Sequence, residues 1–121
     1  MSEPTNRDQL TDQVRGLLGD VLQQADFPGS EELAQQVSSV IVTGGPITML
    51  KLRSAHTLRA SAFPDGPIPM SMLVSNSAGD SVGELLVWVE HGFLSGLEFA
   101  WWTDDAPDEL PSSDRVKVNR K

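Results

Sequence analysis

The sequence predicts an α+β fold, with N-terminal helices packed on a mostly antiparallel sheet of four to five strands. Three observations predict it. Apolar residues recur at helical spacing early in the 121-residue chain, the period shortens to two after residue 40, and turn residues then separate short β-branched runs. Helical runs followed by strand runs favour separate layers over alternating βαβ units.

The first helix is read from Leu10, Val14, Leu17, Leu18, Val21, Leu22 and Ala25, which fall on an arc of about 140° at helical pitch. Asn6 and Gln9 approximate a capping box before it. Gly16 and Gly19 lie inside it, each costing about 1 kcal/mol against Ala. Phe27-Pro28-Gly29 ends the helix. Ser30 is expected to cap a short second one, with Glu31 and Glu32 at its positive end and Leu33 and Val37 inward.

Val40-Ile41-Val42, the turn Thr43-Gly44-Gly45-Pro46 and the alternating run from Ile47 to Arg53 read as a hairpin. Leu50 and Leu52 face one way in it, Lys51 and Arg53 the other. Residues 54–67 read as irregular, broken by Pro64-Asp65-Gly66-Pro67. A strand follows around Met70–Ser75, then the turn Asn76–Asp80. The best-specified element pairs Val82–Glu90 with Phe93–Trp102 about a two-residue His91-Gly92 turn. That register pairs residues whose numbers sum to 183. It puts Leu86, Trp88, Leu97 and Phe99 on the face expected beneath the helices. Leu85, Val87, Val89 and Leu94 then form a second apolar face. Residues 103–111, acidic and proline-punctuated, cannot continue as a regular strand. The chain reads as one domain spanning 1–121, with 1–5 and 112–121 expected to be mobile.

Charge is unevenly placed. Residues 60–114 contain ten acids, no Lys or Arg, and all three tryptophans. The formal charge is −2 over 1–59, −10 over 60–114 and +4 over 115–121, giving −8. Such a surface repels nucleic acid and anionic lipid and favours a cationic partner. The first residues carry no basic or apolar leader pattern, no apolar run approaches a bilayer span, and there is no cysteine. The expectation is a cytoplasmic protein that meets neither membrane nor nucleic acid.

No motif for catalysis stands out. His56 and His91 lack partners at metal-ligand spacing, no G-x-S-x-G elbow is present, and Gly44-Gly45 is too short for a phosphate loop. Asp104, Asp105, Asp108 and Glu109 invite a calcium reading, but the spacing departs from an EF-hand loop. A solvated acidic loop accounts for them better. No cofactor or metal is therefore expected. Glu98, placed on an apolar sheet face, needs either a structural hydrogen bond or a partner's cation. Trp101 and Trp102 must put one ring on each face, so one can anchor an interface or be covered by the tail.

The segments Val42–Leu50, Gly83–Val89 and Gly92–Pro111 resemble a group of small acidic bacterial proteins of unassigned function. These share a glycine-leucine-x-x-leucine-glutamate strand, matched here by Gly92–Glu98, a tryptophan-aromatic pair, here Trp101-Trp102, and an acidic, proline-rich close. The similarity spans about residues 28–111 and carries over no catalytic or ligand residue. Small acidic chains are also common among toxin-neutralising immunity proteins, a likeness of size and charge only.

The function expected from the sequence is non-enzymatic: a protein-interaction module, of immunity-inhibitor type, for a basic protein partner. Its candidate contacts are Glu98, Trp102, Asp104, Asp105, Asp108 and Glu109. The alternative is a self-associating structural homodimer joined through Leu85, Val87, Val89 and Leu94. A small enzyme or ligand carrier ranks last, because paired acid–base groups are not evident in the sequence.

Overall fold

A computed structural model describes residues 7–55 and 64–120. The expected Asn6 cap, the loose residues 1–5 and His56 lie outside the described residues. Helix α1 (Arg7–Gln23) and helix α2 (Ser30–Gln36) precede seven strands. These are β1 (Val40–Gly44), β2 (Met49–Ser54), β3 (Gly66–Pro67), β4 (Met70–Ser75), β5 (Ser81–Glu90), β6 (Phe93–Trp101) and β7 (Val116–Arg120). They form one antiparallel sheet in the order β1-β2-β6-β5-β4-β7, with β3 paired to β5 beside β4. The α+β expectation holds, with more strands than the four or five foreseen.

Helix α1 buries the stripe read from its periodicity: Val14, Leu17, Leu18, Val21 and Leu22 are all core residues. Helix α2 adds Leu33, and Val37 follows in a short 3₁₀ turn. Ser30 does not cap α2. The N-cap is Gly29 at φ 95°, and the Ser30 hydroxyl instead accepts a long bond from the Phe27 N–H at 3.5 Å. Strand β2 of the first hairpin alternates as expected, Leu50 and Leu52 inward and Lys51 and Arg53 outward. Gly45 is required in its turn: φ is 90°, and a Cβ there would strike the Met49 carbonyl.

The second hairpin corrects the sequence reading. His91 (φ 56°) and Gly92 (φ 82°) both take positive φ, the geometry of a type I′ turn. Val89 pairs with Leu94 and Glu90 with Phe93, as the turn dictates. A β-bulge follows, so that Trp88 pairs with Gly96, Leu86 with Glu98 and Leu85 with Phe99. Ser95 is the extra residue, and beyond it every β6 side chain changes face relative to β5. The helices therefore cover Leu85, Val87, Val89, Leu94, Leu97 and Phe99, all buried. Leu97 and Phe99 are on the expected face, but Leu86 and Trp88 lie on the opposite one, which neither α1 nor α2 covers. The four leucines and valines assigned to self-association are core.

Residues 112–121, expected to be mobile, supply a 3₁₀ turn (Ser113–Arg115) and strand β7, which pairs with β4 from Val74–Val116 to Met70–Arg120. Val116 is buried and Val118 packs on the core, so this edge strand has the apolar anchors that its basic composition obscured.

Candidate functional site

The candidate site lies where β6 runs out. The register places Trp101 opposite Gly83, and the Trp102 N–H donates to the Val82 carbonyl at 2.9 Å. Strand alternation sends the two rings to opposite faces, as the sequence requires. Both remain accessible, Trp101 at 40% and Trp102 at 57% exposure. After Trp102 the chain leaves the sheet. The Thr103 hydroxyl donates to the Asp105 carbonyl at 2.9 Å, and Asp104, Asp105, Asp108 and Glu109 are all exposed. Leu110 then packs on the core and brings the segment back to α1.

That return closes one side of a groove of about 740 Å³. Helix α1 forms one wall with Asp12, Gly16 and Asp20, and residues 109–113 with Arg115 form the other. Leu17, Val74, Val82, Phe99 and Leu110 supply its apolar surface. Three acids (Asp12, Asp20 and Glu109) and one Arg therefore line a cleft of mixed polar and apolar surface. Helical geometry explains the α1 wall: positions 12, 16 and 20 share a stripe, and Gly16 leaves a gap between two acids. Apart from the helix's own backbone and the adjoining residues, no atom lies within 4 Å of where a Gly16 Cβ would stand.

The predicted contacts are only partly brought together. Glu109 lines the groove, and Trp102 abuts its Val82 wall through the backbone bond. Asp104, Asp105 and Asp108 lie on the connecting segment. Glu98 stands apart, on the outer face of the sheet, four residues or roughly 13 Å along the strand from Trp102. It is half-buried, and its Oε1 accepts a hydrogen bond from the Trp88 indole at 3.0 Å. The structural reading of Glu98 thus has a donor in place, the Trp88 indole. Asp12 and Asp20 are the groove residues that sequence reading missed, although their spacing with Gly16 was a usable signal.

No helix among the described residues is long and apolar enough to cross a membrane. No protein-family model, curated protein or solved structure matches the chain.

Proposed function

We propose that this protein is a non-enzymatic interaction module, of immunity-inhibitor type, whose acidic end receives a basic protein partner. The observation that carries this reading is the groove between α1 and residues 109–113, three carboxylates around a partly apolar cleft beside two exposed tryptophans. Such a cleft suits an aliphatic side-chain stem ending in a cation, because the stem contacts Leu17 and Phe99 while the charge meets Asp12, Asp20 or Glu109. An exposed tryptophan at the rim adds contact area of the kind that dominates interface energetics. Acids on 104–108 lie beyond the cleft and act by steering.

Partner capture on the immobilised chain at low salt supplies the binding partner. The decisive measurement is its association rate over a tenfold range of ionic strength. Steering of this kind raises on-rates by about 10- to 1000-fold at low salt, so the rate should fall steeply as salt rises. An unchanged rate defeats the electrostatic reading. Asp12→Asn with Asp20→Asn should weaken the complex more than Glu98→Gln.

Self-association is the second reading, and one observation favours it on a new surface. Met49 is exposed on the outer face of the sheet, beside half-buried Leu86 and Trp88. Light scattering at high concentration separates the readings: a monomer leaves only the first.

A further inference from the structure

We propose that Asp65, Glu90 and His91 form a binding site for a divalent first-row transition cation, with zinc as the ion to test. The sequence gives His91 only an adjacent acid; the fold supplies the third donor from 26 positions away. Gly66 and Pro67 of β3 pair with Val89 and Trp88 of β5, and this pairing lays Asp65 against the β5–β6 turn. One ligand atom from each of Asp65, Glu90 and His91 lies within 4.8 Å of the other two. Ligand atoms around a four-coordinate zinc stand roughly 3.3 Å apart, given metal–ligand bonds of about 2.0–2.2 Å. All three side chains are exposed, so small rotations about their χ angles close that difference.

The donor set selects the ion class. One imidazole nitrogen with two carboxylates suits zinc and its first-row neighbours, whereas calcium and magnesium take oxygen-only shells. The backbone prepares the site as well. The His91 N–H donates to Asp65 Oδ1 at 2.8 Å, which fixes the aspartate beside the turn while its second oxygen stays available. Three protein ligands leave a fourth position, and the neighbouring trough of about 640 Å³ is lined by Asp65 and Glu90 together with Trp88 and Lys51. Water or an anionic group entering that trough completes the shell. This site is separate from the acidic groove, and its failure would leave the partner reading untouched.

The test is isothermal titration of the full chain with zinc chloride, with amide shifts followed by NMR. Wild type should bind one equivalent, with the largest shifts at residues 65, 66 and 90–92. His91→Gly should weaken binding tenfold or more, since loss of a supporting group alone costs 10- to 100-fold at metal sites. Glycine relaxes the positive φ at position 91, so this variant keeps the turn and its effect reports the imidazole. Asp65→Asn retains an acceptor for the His91 N–H and should weaken binding similarly. Asp104→Asn with Asp105→Asn should bind zinc like wild type. Absence of binding in wild type, unchanged affinity in His91→Gly, or loss of binding in the Asp104/Asp105 variant would each overturn the proposal.

Discussion

Trp88 and Glu98 are joined diagonally across the β5–β6 ladder, the indole N–H donating to Oε1 at 3.0 Å although neither residue is the other's direct partner. Gly96 is opposite Trp88 and Leu86 is opposite Glu98. With no side chain at Gly96, the indole has room to lean toward Glu98 on the next outward position. Diagonal neighbours on one sheet face are within reach of long aromatic side chains. The bond gives a half-buried carboxylate a charge-assisted donor on the face opposite α1 and α2.

Removing that donor should be measurable as stability. Trp88→Phe keeps most of the ring area and deletes the N–H, and it should cost about 1.5 kcal/mol or somewhat more in urea unfolding. Glu98→Gln keeps an acceptor oxygen and loses only the charge assistance, so its cost should be smaller. Equal costs would mean that charge assistance carries the whole contribution of the indole bond.

Gln36 makes a stronger claim on the fold. It is fully buried, its Nε2 donates to the Gly92 carbonyl at 2.9 Å, and its Oε1 accepts from the Leu94 N–H at 2.9 Å. One side-chain amide thus satisfies two backbone groups where the turn meets the bulge. Gln36→Leu should strand both in a dry environment, at about 1–3 kcal/mol each before relaxation. A chemical-denaturation midpoint unchanged in Gln36→Leu would show that the turn rearranges to find other partners.

Local periodicity carried most of the architecture. The α1 stripe, the inward Leu50 and Leu52, strand β4 and the His91-Gly92 turn were all legible, because each depends on neighbours within a few positions. The bulge was also written in the chain: Leu94, Leu97 and Phe99 are spaced three and then two, a break in alternation beside Gly96. A constant sum across the hairpin overlooked it, and the two faces were partly exchanged in consequence. Val116 and Val118 alternate with Arg115 and Lys117 in the same way, but their positive charge drew the reading toward a loose tail. Asp65 approaching His91, and residues 109–113 approaching α1, are long-range consequences of β3 and β7 pairing. No local pattern encodes them.

The edge of the sheet offers a third prediction. On α1, Thr11 and Arg15 lie one turn apart, and both bond the backbone of β1. The Thr11 hydroxyl accepts from the buried Val42 N–H at 3.1 Å, and Arg15 Nε donates to the Val40 carbonyl at 2.8 Å. An edge strand otherwise presents such groups to any other extended chain. Thr11→Val, nearly isosteric, should cost about 1–3 kcal/mol by leaving a buried donor unpaired, whereas Thr11→Ser should be close to neutral. Thermal unfolding distinguishes them, and equal melting temperatures for the two would show that water replaces the hydroxyl.

The two glycines of α1 separate stability from the groove. Beyond the helix's own backbone and the adjoining residues, neither Gly16 nor Gly19 has an atom within 4 Å of an added Cβ, so alanine fits at both. Each replacement should stabilise the helix by about 0.8–1 kcal/mol, which for a domain of this size raises the melting temperature by about 3–5 °C. Only Gly16 lines the groove, between Asp12 and Asp20. Gly16→Ala should therefore gain stability and lose affinity for a basic partner, because its methyl group enters the gap between the two acids. Gly19→Ala should gain the same stability with binding unchanged. If both variants bind like wild type, the groove is not where the partner docks, and Gly16 is merely a poor helix residue.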